Sequence, residues 1–436
     1  MTNGYINGNS RGRGTVVITK ERFQAICLTA LVLATVVLLL LRDAYSVNIN
    51  KYLFVAIAII GTVALSTENF TCFMFFSLPL YFGLPGNYIT ILFLARILLS
   101  YQKLKLKRAN VCVAILICLF MVLQNVFTGY SDVVHFMFLL NIILIVLLFA
   151  YRTTWKTRTI LLCYSFGVAM LGIIMLISTL QVYEFNELMS SSLRLGDAQY
   201  ASESTAMHVS VDPNYYGAYT ISALAMSVPF LQKKGPSALA KTILIICLLA
   251  ALAVCLIGLS RSFVLVLALW ILLYLISQKK WKNILVTLVV LTIIAIIVVR
   301  FMPNVVESLL RRFNESDMAT ANGRTNQIGK YYNSWMETLP TMLFGIGMFN
   351  CEIHCTPLQF LFGGGLVLFG LILVFAFTLK PQIMYYKKPF YETYLPVLAT
   401  FVMMLTIPAA TLINSIFPLV ITYFHSCYIK SQKDGM

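Results

Sequence analysis

One polar segment, residues 302–355, concentrates the side chains best suited to chemistry in an otherwise apolar chain. It contains Arg311, Arg324 and Lys330, and it ends next to His354. Arginine can bind a phosphate through two parallel hydrogen bonds, and histidine near neutral pH can accept a proton from an attacking hydroxyl group. We therefore predict a site for an anionic substrate, with His354 as a candidate base. A structural role for this lone histidine is equally open.

A second candidate cation is Arg261, within the short sequence Ser260-Arg261-Ser262 that joins two apolar stretches. An arginine close to the membrane surface lies at the depth where a lipid diphosphate would sit, and can bind it in bidentate fashion. The alternative is that its long aliphatic stem simply lets the charge reach the interface. The sequence favours neither interpretation.

The sequence Asp-Pro-Asn-Tyr-Tyr-Gly at 212–217 comes directly before an apolar stretch. Asp212 and Pro213 fit an N-cap followed by proline at the first helical position. The amide of Asn214 and the phenol of Tyr215 are able to hydrogen-bond a sugar or a phosphate, so we predict that Asp212, Asn214 and Tyr215 bind substrate. Tyrosine is also a common interface anchor, which is the alternative.

Two further helices are predicted inside the polar segment. Apolar residues at helical spacing over 306–313 predict a helix that lies on the membrane surface, with Arg311 and Arg312 as lipid anchors. A second helix should carry Lys330 and Trp335, whose cation and aromatic ring suit a phosphate and a sugar face. The same two residues are able to rest against the bilayer instead.

The elements that must position these residues are membrane helices. The chain has 436 residues, 60% of them hydrophobic and 11% charged, with a mean hydropathy of +0.85. Apolar runs long enough for a hydrocarbon core of about 30 Å recur along it, so we predict an all-α, polytopic integral membrane protein with about 12 to 14 transmembrane helices. The predicted helices are 23–41, 52–67, 70–83, 88–101, 109–127, 133–150, 159–180, 213–231, 242–259, 263–278, 283–301, 356–379, 393–407 and 411–428.

Orientation follows from the basic residues, because short cytoplasmic loops retain Lys and Arg. A cytoplasmic N-terminus places most of the 32 Lys and Arg residues inside. Residues 1–436 then form a single transmembrane domain with a first outer loop at 181–212 and a long outer loop at 302–355. Arg194 in the first loop is a further candidate for substrate binding. The net charge of +16 is explained by topology and lipid head groups, so no nucleic-acid partner is expected.

Ionisable groups and cysteines narrow the classes of function. The acidic residues lie in loops or near helix ends, which argues against an ion-coupled transporter but leaves a flippase open. Cys351 and Cys355 flank His354, and a disulfide between them is undecided by sequence. A zinc site would need a fourth ligand, so we predict no metal and no cofactor.

Taken in order, these motifs resemble the O-antigen polymerase and O-antigen ligase superfamily of bacterial membrane glycosyltransferases. The resemblance covers residues 210–370 at the level of motifs. It is carried by Asp212-Pro213-Asn214, Ser260-Arg261-Ser262, Asn322-Gly323-Arg324 with Trp335, Gly345 and Gly347, and His354 with Gly365. Cys355 departs from the family pattern, which often has asparagine after the histidine.

The resemblance implies a donor glycan carried on a polyprenyl diphosphate. It further implies that Arg261 and Arg324 bind the diphosphate and that His354 activates or positions the acceptor hydroxyl. The expected function is polymerisation of lipid-linked repeats into an O-antigen, capsule or exopolysaccharide at the bacterial inner (plasma) membrane. The expected partners are membrane lipids, a chain-length regulator and a flippase. The alternatives are a ligase that transfers finished glycan, a flippase, and a membrane scaffold.

Overall fold

The computed structural model describes residues 19–80, 84, 86–128, 133–151, 155–181, 183–184, 187, 213–232, 237–258, 260–278, 281–301, 303–314, 324–348, 350–383, 392, 394–407, 420–421 and 423–427. This part of the chain is 85% helix and contains no strand. The helices are α1 Lys20–Leu39, α2 Tyr52–Ala64, α3 Thr67–Ser77, α4 Gly86–Leu98, α5 Arg108–Thr128, α6 Val133–Ala150, α7 Thr157–Leu180, α8 Pro213–Gln232, α9 Ala238–Ile257, α10 Arg261–Gln278, α11 Trp281–Phe301, α12 Pro303–Asn314, α13 Arg324–Met336, α14 Leu339–Phe344, α15 Thr356–Ile383 and α16 Leu395–Met404.

Several of these helices are long and apolar enough to cross a membrane. Within the described residues there are five such spans, namely Lys20–Ala44, Arg108–Phe127, Thr157–Leu180, Ala238–Ile257 and Thr356–Thr378. Shorter apolar helices accompany them, including α2, α10 and α16. The prediction of an all-α protein with membrane helices is therefore confirmed, whereas the count of about 12 to 14 spans stays a prediction.

Two predicted helix boundaries are wrong, at 52–67 and at 70–83. The helix α2 already ends at Ala64, and α3 begins at Thr67 and ends at Ser77. The boundary between the two helices is set by Ser66, which has an extended backbone and caps α3 by accepting a hydrogen bond from the backbone N–H of Asn69 at 3.4 Å. The predicted helix at 411–428 falls largely outside the described residues.

Contacts between helix ends define two opposite faces of the bundle. At one face, named the Lys103 end, Lys103 donates to Glu68 at 3.0 Å, Lys156 donates to Asn69 at 3.0 Å, and Arg158 contacts Ser237. These residues begin or follow helices α3, α4, α7 and α9. Their gathering at one face agrees with the alternation of direction that the sequence predicts.

The opposite face is named the Asn214 end. The helices α7 and α8 are antiparallel, because Tyr164 of α7 hydrogen-bonds Ser222 of α8 at 2.7 Å, whereas Gly172 further along α7 lies against Tyr216, nearer the start of α8. Asn214 bonds Ser260 just before α10. The end of α16 reaches the same face, because a Cβ added to Gly217 would lie 3.2 Å from Met403. Ile407, just beyond α16, accepts from Thr356 at the start of α15. The region that begins with Asn214 and Arg261 and the region that contains His354 therefore lie at this end.

Candidate functional site

The start of α10 is held by Ser260, which caps the helix and joins it to α8. The Ser260 hydroxyl donates to Asn214 Oδ1 at 2.9 Å and accepts from the backbone N–H of Phe263 at 3.3 Å. Asn214 is only 4% exposed. Arg261 is the first residue of this capped helix and is half-buried. A cationic residue therefore lies at the positive end of a helix dipole, where an anion is favoured.

Asn214 therefore has a structural contact that the sequence did not predict. Its amide oxygen fixes the Ser260 turn and, through it, the position of Arg261. Tyr215 is half-buried and packs against the main core. Their predicted contacts with substrate stay predictions. Asp212 and Arg194 lie outside the described residues.

Replacing Ser260 with alanine is expected to destabilise the protein by about 2 kcal/mol, since both the helix cap and the bond to buried Asn214 are lost. Thermal unfolding in detergent would measure this. Ser66→Ala is the matched control, because the Ser66 side chain caps α3 by accepting from the backbone N–H of Asn69. The control should cost about 1 kcal/mol or less, and equal losses in the two variants would contradict the interhelical role of Ser260.

His354 lies in the short non-helical stretch before α15 and is exposed. Two residues later Thr356 Oγ1 donates to the carbonyl of Ile407 at 2.8 Å. On the other side, Gln327 of α13 donates to the carbonyl of Glu352 at 2.6 Å. The stretch that carries His354 is thus held by hydrogen bonds on both sides, and His354 itself is exposed.

The two cysteines beside His354 are both free thiols. Cys351 is fully buried, and burial raises its pKa to about 12. A neutral thiol of this kind is a small hydrophobe and neither a nucleophile nor a ready metal ligand. The described residues contain no cluster of His, Cys, Asp or Glu that could hold a metal ion.

Trp335 is buried in a small second core with Cys351, Ile353 and Phe362. Its indole N–H donates to the carbonyl of Met342 at 3.1 Å, so the ring fastens α13 to α14. The predicted stacking of this ring on a sugar stays a prediction, and its observed contacts are those of a packing residue. Exposed Lys330 on the same helix has its Nζ 5.7 Å from the centre of the Tyr331 ring.

The helix α16 connects the two motif regions. It packs against α8 and α10, and the chain just beyond it bonds Thr356 through Ile407. His354 and Arg261, 93 positions apart in the chain, are therefore held at the same end of the bundle by one intervening helix. Arg324 begins α13, and its side chain lies outside the described residues.

Sequence reasoning missed Gln124 of α5, which reaches the same region. Its Nε2 donates to the carbonyls of Phe344 at 2.6 Å and Gly363 at 2.8 Å, and its Oε1 accepts from the backbone N–H of Met348 at 3.3 Å. The available signal was a glutamine within a long apolar run, where an amide needs partners inside the protein.

No protein-family model matches the chain, and no similarity was found to a curated protein or to a solved structure.

Proposed function

We propose that this protein is a membrane glycosyltransferase that joins polyprenyl-diphosphate-linked oligosaccharide repeats into a surface polysaccharide. The observation that supports this most is the placement of Arg261 at a capped helix start, on the same end of the bundle as exposed His354. A cation and a base on one face suit a reaction in which an anionic group leaves and a hydroxyl attacks.

In the proposed reaction an acceptor hydroxyl attacks the anomeric carbon of the donor repeat. The bond from that carbon to the diphosphate oxygen breaks and a glycosidic bond forms. His354 takes the hydroxyl proton, while Arg261 stabilises the charge that develops on the departing lipid diphosphate. Arg324 is proposed as a second diphosphate ligand. The residues require no metal or cofactor for these roles.

The proposed setting is the bacterial inner membrane, with the Asn214 end facing away from the cytoplasm. The broad apolar surface of α5, α9 and α11 gives the protein a lipid-facing exterior. A polyprenyl carrier would lie along such a surface with its diphosphate at the interface, the depth at which helices α8 and α10 start. A flippase that supplies the repeats and a chain-length regulator are the proposed partners.

The test is glycan chain length, measured by gel in cells that depend on this protein for their polysaccharide. Arg261→Ala and His354→Ala are compared with the unmodified protein at equal membrane amounts, and each should lower polymer formation by about 100-fold or more. Arg108→Ala is the matched control, since Arg108 is also the first residue of a membrane helix, is exposed, and lies at the Lys103 end.

Each result assigns the function differently. Accumulated single lipid-linked repeats support the polymerase, whereas full-length polymer left on its carrier would indicate a ligase. Repeats that never reach the outer face would indicate a flippase. Normal polymer on its usual acceptor in both variants would remove Arg261 and His354 from the mechanism.

A further inference from the structure

The helix α15 is broken at Gly365, where the backbone takes φ 71° and ψ 176°. The segment from Phe344 to Met348 runs alongside this break. The backbone N–H groups of Ile346 and Gly347 donate to the carbonyls of Phe362 and Gly363, each at 3.0 Å. We name this arrangement the glycine clasp, formed by residues 344–348 and 362–365.

A broken helix is costly among membrane helices, because every backbone group that loses its helical partner needs another one. In the glycine clasp the partners are backbone groups of residues 346 and 347 and the side chain of Gln124. Gln124 is itself only 5% exposed. Its amide bonds both sides of the clasp, at Phe344 and Met348 on one side and at Gly363 on the other.

Met348 is the last residue of the first clasp segment, and its backbone hydrogen bonds fix where the following residues begin. Its N–H donates to Gln124 Oε1 at 3.3 Å, and its carbonyl accepts from Gln359 Nε2 at 3.2 Å. Both backbone groups of Met348 are thereby fixed by buried amides. His354 follows six positions later, and Cys351 between them is fully buried beside Gly363.

We propose that Gln124 is a positioning residue for His354. By holding the glycine clasp closed it fixes the start of the stretch that carries the imidazole, while Thr356 fixes its end. The inference rests on the proposed function for what His354 does. That Gln124 holds the clasp closed is inferred from the hydrogen bonds alone and does not depend on the proposed function.

The experiment compares Gln124→Ala and Gln124→Glu with the unmodified protein. Alanine removes the hydrogen bonds to Phe344, Gly363 and Met348. Glutamate keeps the volume and the acceptor but loses the two N–H donors, so two carbonyls face a carboxylate. Gln24→Ala is the matched control: Gln24 likewise donates to a backbone carbonyl, that of Ala64, and accepts from a backbone N–H, that of Ser66, but at the Lys103 end.

The first measurement is the rate at which a maleimide labels Cys351 in purified protein in lipid nanodiscs, followed by mass spectrometry. Labelling requires the clasp to open. We expect both Gln124 variants to raise the rate about tenfold or more, since each removes the donated bonds by which Gln124 joins Phe344 to Gly363 across the clasp. Gln24→Ala should label at the parent rate. Parent-like labelling in both Gln124 variants would overturn the closed clasp.

The second measurement is polymer length in cells at matched membrane amounts. Both Gln124 variants should shorten the polymer at least about tenfold, and Gln24→Ala should not. Raised labelling with unchanged polymer length would overturn the positioning role. If Arg261→Ala and His354→Ala also leave polymer unchanged, the proposed function fails instead, and the labelling rates alone then decide whether Gln124 holds the clasp.

Discussion

Replacing Gly345 with alanine is expected to remove nearly all folded protein from the membrane. Gly345 has φ 79°, a region that side-chain-bearing residues rarely occupy. A Cβ placed there would overlap the carbonyl oxygen of Gly363 and lie 2.6 Å from the nitrogen of Gly365. Both obstacles are backbone atoms, so no side chain can rotate away and the glycine clasp must open.

Gly365→Ala should have the same result for the same reason. Its φ is 71°, and an added Cβ would overlap the nitrogen of Gly345 and the carbonyl oxygen of Leu343. The backbones of the two glycines are in direct contact, and neither of the two segments of the clasp can move away without opening it.

The measurement is the amount of monodisperse protein after detergent extraction, by fluorescence-detected size exclusion. Gly370→Ala is the matched control, because it lies in the same helix α15 and nothing is within 4 Å of its added Cβ. The control should match the parent or be more stable by about 0.5–1 kcal/mol, since alanine favours a helix. Normal yield of Gly345→Ala would show that the clasp is not needed for folding.

Helix positions were largely predictable because apolar runs and end signals act locally. Pro213 was expected at the first helical position and α8 begins there, and α15 begins at Thr356 as expected. The error at 52–67 has the same local origin. The residues that follow Leu65 are polar, and Ser66 among them caps the next helix instead of continuing α2.

The contacts of the candidate site were not predictable in the same way. The sequence marks Gly345 and Gly365 but does not show that their backbones touch, nor that Gln124, 239 positions before Gly363, bridges the contact. Such pairings depend on the packing of α5 against α15. Trp335 illustrates the same limit, since an interfacial aromatic and a buried one have the same sequence pattern.

The surroundings of Arg42 were also not predictable from the sequence. A cytoplasmic N-terminus places Arg42, which follows the first apolar run, on the outer side, against the usual distribution of basic residues. In the structure it lies in a π-helical turn, Leu40–Ala44, directly after α1. It bonds the neighbouring Asp43 through Nε to Oδ1 at 2.6 Å and through a terminal nitrogen to Oδ2 at 2.9 Å. This arrangement depends on the π turn, which has no sequence signature.

Arg42→Met and Asp43→Asn are each expected to destabilise the protein by about 3–5 kcal/mol. The two side chains are 6% and 1% exposed, so either substitution leaves a charge buried without its bonded partner. The Arg42 guanidinium also lies 4.9 Å above the Phe54 ring, and Ser178 at the end of α7 donates to the backbone carbonyl of Asp43. The pair thereby joins α1, α2 and α7.

The measurement is thermal unfolding in detergent, and the decisive variant is the double substitution of Arg42→Met with Asp43→Asn. The double variant leaves no unpaired charge in the interior. Its loss in free energy of unfolding should therefore be at least about 2 kcal/mol smaller than the sum of the losses in the two single variants. Lys103→Met is the matched control. It breaks the Lys103–Glu68 pair, in which the lysine side chain is 51% exposed, and should cost about 1 kcal/mol or less. Additive losses at 42 and 43 would mean that the two charges are stabilised separately, and the close contact between them would then have no energetic role.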